Sequence, residues 1–371
     1  MSRRIASQEL AEAYDQWLEV QRDLAAAMCG HEPLDQPGIW AEGYRHLIRL
    51  MASASLMYVE MDDPLNPCFY RDTDELRKLT LDNPDNHYLR ARVSAGHTYR
   101  LSGRLGSSIY HGLTIERSHI APGGHAVLVQ VELEDFVRAA DRRFELWLGG
   151  EPRASCWLAL PPDTHSIFLR QTFADPARRE LAELRIERLG MAEYRPASVD
   201  VQARRIREAA AFARWWGERA LAIGRGFSGI RNALHSRGRG NRDPGGDRLI
   251  DYFGGGWELE PDDALLVTLR ANSPFRYWGF QLANYWAESL DYRFLNVSVN
   301  SHQAVANADG SWTLVLAHED PGVPNWLTVA GHRQGVMTLR WLKARDEPGR
   351  PAVERVRRVD VRARMRSMAV P

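Results

Sequence analysis

The sequence predicts a mainly β protein: two β-sandwich-like modules in series, with accessory α-helices at the N-terminus and between the modules. Three observations carry this. Between residues 85 and 190, apolar and polar residues alternate with a period of two, in short runs broken by turn residues. The same pattern returns over 257–345. Helical periodicity is confined to the start of the chain and to one stretch between the two blocks. A chain of 371 residues also exceeds one typical domain. The expected division is a helical segment over 1–80, a first sandwich-like domain over 81–195, a helix with a Gly/Arg-rich linker over 196–256, and a second sandwich-like domain over 257–371.

The first helix is expected near 7–28, where Leu10, Tyr14, Trp17, Leu24 and Met28 fall near one face. A second near 39–58 places Trp40, Tyr44, Leu47, Ile48 and Met51 at the same period. After "DNPDN" the period shortens. "HYLRARV", "HTYRLSGR", "SSIYHGLTI", "HAVLVQVELED", "RFELWLG", "CWLAL", "SIFLRQTF" and "LAELRIERL" read as strands. Pro122-Gly123-Gly124 and Pro161-Pro162-Asp163 mark turns among them. The third helix, near 199–222, is preceded by Ser198 as a cap and carries Asp200 at the positive end of its dipole. Residues 228–247 are rich in Gly and Arg, lack the Gly-Lys-Ser/Thr ending of a phosphate-binding loop, and are expected to be exposed. "DALLVTLRA", "FRYWGFQLA", "SWTLVLAHE" and "GVMTLRWLKA" are the clearest later strands, with "NADG" at 307–310 a hairpin turn.

Composition narrows the function. Forty-eight basic and 48 acidic residues cancel, so no long-range field favours nucleic acid. No segment approaches the ~18 apolar residues of a membrane span. Three widely separated cysteines, Cys29, Cys68 and Cys156, form neither a disulfide framework nor a metal-ligand pattern, which fits a reducing, cytoplasmic setting. The Rossmann fingerprint and the Gly-x-Ser-x-Gly elbow are both missing, and "HED" at 318–320 is not a His-Glu-x-x-His zinc motif. The expectation is therefore no cofactor, no metal, no nucleic acid and no membrane. The sequence leaves room for a homo-oligomer.

"FRYWGFQLANYWAESLDYRF", "NADGSWTLVLAHEDPGVPNWL" and "GVMTLRWLKA", in that order, resemble the bacterial domain-of-unknown-function family numbered twelve-fourteen. The resemblance covers roughly 260–345, and more weakly 80–190 through "SIFLRQTFADPARRELAELRIER". It implies an all-β, sandwich-like architecture and carries no reaction with it.

Several residues are candidates for chemistry. In "SWTLVLAHED", Trp312, Leu314, Leu316 and His318 share a strand face, which puts His318 at the strand end as an acid/base group. Asn325 and Trp326, beyond the Pro321-Gly322 turn, would be a polar anchor and an apolar wall. The bland alternative is a structural corner, with Trp326 largely buried against the 312–318 strand and Asn325 bonded to backbone. Trp278, Asn284 and Tyr285 line the end of a strand whose two faces both carry large residues, so they read as ligand contacts or as core. Arg90 and Arg92 share one face and Arg100 and Arg104 another. A hairpin through 95–96 would join them into an anion clamp, in which Arg92 and Arg100 bind substrate and His87 moves protons. A solvated face paired with Glu132 and Glu134 is the alternative. The function expected is binding of a small organic molecule in an aromatic-lined cleft, with room for cofactor-independent acid/base chemistry of lyase, isomerase or hydrolase type. Its rival is a non-catalytic carbohydrate- or protein-binding or assembly module.

Overall fold

The computed structural model describes residues 3–33, 36–138, 140–190, 196–239 and 246–369. It is mainly β: among the described residues, seventeen strands form four sheets. Two compact units divide the chain, one of residues 1–27, 47–77 and 86–218, the other of 28–46, 78–85 and 219–371. Helices α1 (Arg3–Met28), α2 (Pro37–Ser55) and α3 (Val199–Ser228) each contribute residues to both. They fall where the 3.6-residue period predicts. No helix among the described residues is long and apolar enough to cross a membrane, and the three cysteines are free.

The first unit holds β1 (Asn86–Arg92), β2 (Tyr99–Arg104), β3 (Tyr110–Arg117), β4 (Ala126–Glu132), β5 (Arg143–Leu148), β6 (Trp157–Leu158), β7 (Thr164–Thr172) and β8 (Glu183–Arg188). One sheet runs β1-β7-β3-β4 and the other β6-β5-β2-β8. Alternation decides what lies between them. Ala91, Leu113, Ile115, Ile167 and Leu169 from the first sheet meet Tyr99, Leu101, Leu146, Leu148 and Ile186 from the second in one buried core. The opposite phase of the first sheet, with Arg90, Thr114, Glu116, Ser166 and Phe168, is buried as well.

Here one expectation is corrected. Strands β1 and β2 are not a hairpin; they belong to different sheets, so Arg90 and Arg92 do not join Arg100 and Arg104. Gly96 turns the chain from one sheet to the other instead of back along the same one.

The second unit holds β9 (His235–Arg239), β10 (Ile250–Glu258), β11 (Asp263–Leu269), β12 (Tyr277–Ala283), β13 (Ser298–Asn300), β14 (Trp312–Ala317), β15 (Trp326–Thr328), β16 (Gln334–Leu342) and β17 (Ala352–Arg357), followed by α4 (Val361–Ala369). Its sheets run β13-β12-β16-β10-β9 and β15-β14-β11-β17. Trp257, Trp278, Phe280, Leu339 and Trp341 face Leu265, Val267, Leu314, Leu316 and Leu327 across a closed core. Strand β10 lies largely within the stretch expected to be linker, 196–256. A Cβ at Gly255 would come within 1.8 Å of the Ala233 carbonyl, so glycine is what lets the 227–233 turn press onto this strand. The Gly/Arg-rich stretch is exposed over 235–239, as expected, but it is an edge strand: Arg239 pairs with Asp251 at 2.8 Å, and Leu234 is fully buried. Residues 240–245 of that stretch lie outside the described residues.

Candidate functional site

The sequence-selected residues have distinct surroundings. In the second unit, His318 sits at the end of β14 with Nε2 3.2 Å from the Leu259 carbonyl. Trp312, Leu314 and Leu316 face the core as the alternation requires. Trp326 lies on the other face of that sheet, half-buried with Val315, Ala317, Val323 and Met365, its Nε1 donating to the Ala317 carbonyl at 3.3 Å. Asn325 takes a left-handed backbone (φ 57°). Its Nδ2 donates to the Val305 and Thr313 carbonyls at 2.8 and 3.1 Å, and its Oδ1 accepts from Val305 N–H at 2.8 Å. Asn325→Ala removes three hydrogen bonds and an asparagine suited to that conformation, and is expected to cost on the order of 2–3 kcal/mol. Asn325→Asp keeps the acceptor but sets a carboxylate oxygen against the Val305 and Thr313 carbonyls, so it should cost at least as much as alanine; urea titration compares the three proteins.

Trp278 is fully buried in the sandwich core, 5.5 Å from the Trp312 ring and edge-on to it. The Asn284 side chain accepts from the N–H groups of Trp286 and Glu288 at 3.0 and 3.1 Å, closing the turn after β12. The Tyr285 hydroxyl lies 3.2 Å from His31 Nδ1. On the face of β12 away from the core, Asp85 accepts from the Tyr277 hydroxyl at 2.5 Å and from Asn300 at 3.1 Å; burial outweighs these bonds and pushes its pKa up to about 6.

In the first unit, Arg100 is half-exposed and pairs with Glu187 at 2.5 Å. Arg92 is bound to Asp62 at 2.6 Å. Burial, then the Arg71 and Arg179 charges, lowers His87 to about 4. His87 and Arg92 lie on β1 and Arg100 on β2, in the other sheet.

What the sequence reading missed is a buried cluster on the outer face of the β1-β7-β3-β4 sheet. Arg90 is its centre: Nε donates to Asp72 at 2.7 Å, and Nη1 donates to Glu116 at 2.7 Å and to Ser166 at 2.9 Å. The second Glu116 oxygen accepts from Thr114 at 2.8 Å. Register shifts on either side of Glu116, against both β4 and β7, bulge the sheet and aim this carboxylate. Burial works against its ionisation, yet Arg90 and then His125 override burial and hold its pKa well below the usual carboxylate range.

The loop from β3 to β4 carries His119 and His125 at its two ends. The turn closes through Gly124 N–H to the Ala121 carbonyl at 2.8 Å, and Arg117 grips the Gly124 carbonyl at 2.7 Å. The two imidazoles stack at 4.6 Å, and His125 Nε2 lies 3.3 Å from Glu116. Aromatic rings enclose them. His119 is 5.2 Å from Phe212, 5.4 Å from Trp215 and 6.0 Å from Trp216, all on α3. Tyr58 comes from a single π-helical turn (Leu56–Glu60) that ends α2, and it contacts Phe212 and His165. Its hydroxyl is 3.4 Å from Ser118, and burial raises its pKa to about 12. His119 is kept well below the ordinary imidazole range by burial, then by His125 and Arg90; His165 is kept there by burial, then by Arg92 and Arg90.

Three buried atoms of the cluster have no hydrogen-bond partner among the described residues, one of them His125 Nε2, which lies near Glu116 without bonding to it. Trp216 Nε1 is buried and meets no acceptor among the described residues, and Asp72 Oδ1 is likewise unpartnered. A buried N–H without a partner is expensive, so an acceptor brought by a ligand would be favoured there. In the tautomer that turns Nε2–H toward Glu116, His125 keeps Nδ1 as a proton acceptor. Among the described residues, no group of three or more His, Cys, Asp or Glu is arranged to hold a metal ion. The sequence signal that could have found this site is a histidine at each end of a Pro-Gly-Gly hairpin, with Glu116 three residues before His119 on the polar phase of β3.

These features define a class: helix-backed tandem β sandwiches with a buried His/Glu/Arg cluster in the first module. Residues 256–346, in the second module, match the model of the family described as Protein of unknown function (DUF1214). A putative uncharacterized protein from Burkholderia cenocepacia, known from its crystal structure, is 32% identical, with the match covering 95% of this chain and 99% of that one at a TM-score of 0.89. The VPA0106 protein from Vibrio parahaemolyticus shares the fold at 13% identity and a TM-score of 0.51, over 85% of this chain and 98% of that one. No curated protein matches the chain.

Proposed function

We propose that the first module binds a small, uncharged, planar organic molecule against Tyr58, Phe212, Trp215 and Trp216, with His125 and Glu116 as its acid–base pair. The observation that carries this reading is the unpartnered Trp216 N–H beside two stacked imidazoles in a buried, aromatic setting. Charge argues for a neutral ligand. Arg90 is already neutralised by Asp72 and Glu116, and Arg92 by Asp62, which leaves hydrogen bonding and ring stacking to recognise the guest. Proton abstraction by His125, with Glu116 stabilising the imidazolium that forms, needs no cofactor. We read the three separated free cysteines as those of a cytoplasmic protein.

The test is a thermal-shift screen of neutral aromatic amides, ketones and heterocycles against the native chain, Trp216→Phe and His125→Gln. Stabilisation by a subset of compounds in the native chain, lost in Trp216→Phe although that variant's own Tm moves by only a few degrees, supports the reading. Compounds that stabilise all three proteins equally would place binding elsewhere and end it.

A further inference from the structure

In the second module a concavity of about 640 Å³ opens between the 305–308 segment, the 322–325 turn and α4. That volume suits a small molecule. Its floor is apolar: Val323 and Met365 belong to the cluster around Val315 and Ala317, and Val305 is 57% exposed at the side. Its rim is cationic, with Arg362 and Arg366 one turn apart on α4.

The pairing of arginines in this part of the chain is uneven. Arg355 is bound to Asp263, Arg357 lies 3.6 Å from Asp360, Arg358 2.9 Å from Glu319, and Arg364 2.5 Å from Glu354. Arg362 and Arg366 meet no carboxylate among the described residues, and these two line the concavity. Arg362 is also held in place, its Nε donating to the Pro321 carbonyl at 2.7 Å. Of the nearby acids, Asp309 pairs with Arg270 at 2.5 Å, while Asp320 accepts from the N–H of Gly322 at 2.7 Å and so braces the turn that lines the concavity. Asn325 fastens the walls together through its bonds to Val305.

We infer that this concavity is a binding site for an amphipathic carboxylate, its anionic head between Arg362 and Arg366 and a short acyl chain over Val305, Val323 and Met365. Two guanidiniums without a counter-ion supply the charge complement, and the apolar floor selects against a bare anion. The site is separate from the histidine cluster of the first module and does not depend on it.

Methyl NMR of the ¹³C-methionine-labelled full chain reads this directly, with Met365 assigned through Met365→Leu. Octanoate should shift the Met365 methyl resonance saturably, and Arg366→Gln, at an exposed position, should weaken that binding about tenfold or more. Octanol, of the same chain length, should give no saturable shift at the same concentrations. The inference fails if octanoate leaves Met365 unmoved, if Arg366→Gln binds octanoate as the native chain does, or if octanol binds equally well. A matching affinity for inorganic phosphate would also overturn it, by reducing the site to a general anion patch.

Discussion

Arg90→Met is expected to destabilise the protein by about 3–5 kcal/mol. The substitution keeps much of the side-chain volume but strips the positive charge from between Asp72 and Glu116, both of which are almost completely buried. Two carboxylates would then face each other's field without a cation, and Ser166 would lose its donor. They would respond by taking up protons, so the loss should shrink in acid. Neutralising both acids in the Arg90→Met background, with Asp72→Asn and Glu116→Gln, should recover a substantial part of the stability, because the penalty belongs to the unpaired charges more than to the missing contact. Urea denaturation of the single and triple variants measures this. A cost below about 1 kcal/mol for Arg90→Met would mean that water reaches the cluster and that it is not the sealed polar core described above.

The second large effect is with pH. His119 and His165 are held neutral in the folded protein, while in the unfolded chain they protonate near the ordinary imidazole value of about 6.5. Below that pH the unfolded state binds protons that the folded state refuses. Stability from these groups is therefore complete above about pH 6.5 and is lost as the pH falls through 6.5 toward their depressed folded values. Each contributes a slope of at most about 1.4 kcal/mol per pH unit, roughly 3 kcal/mol per unit together. His87 acts in the same direction down to about 4. Asp85, in the second unit, runs the other way: its carboxyl is raised to about 6, so the folded state binds the extra proton between 3.8 and 6 and the strain of burying its charge is relieved in acid. The first module should accordingly loosen before the second between pH 6.5 and 5. Hydrogen exchange followed peptide by peptide, and corrected for the intrinsic pH dependence of exchange, separates them. Simultaneous opening of both modules, or earlier opening of the second, would contradict the assignment.

Much of the fold is legible because alternation is a local property. Leu113 and Ile115 face one way and Glu116 the other whatever covers them, and the strands over 86–188 follow from that phase alone. Strand β10 is illegible because three consecutive glycines carry no alternation, and only the 227–233 segment pressing on them explains their place in a strand. The site was harder still. Arg90 and Arg92 read as a solvated or ligand-clamping face, whereas their true partners are Asp62 and Asp72, earlier in the chain, and Glu116, His165 and Ser166, later in it. Period two says which residues share a face; it does not say whether water or a helix lies over it. Around His318 the phase holds, with His318 at a strand end and Asn325 bonded to backbone, but Trp326 packs on the outer face of its sheet with Met365 of α4.

The central claim is that Trp216 offers an unused hydrogen bond to a ligand beside His119 and His125. Indole ¹⁵N–¹H NMR tests it most directly, with the Trp216 resonance assigned by its disappearance in Trp216→Phe. On titration with a neutral aromatic amide that stabilises the native chain, the Trp216 proton should move downfield as it gains an acceptor, and the His125 ring nitrogens should shift with the same saturation curve. A saturating ligand that leaves the Trp216 indole and His125 unmoved, while other tryptophans respond, would show that the cluster is a structural polar core and not a binding site.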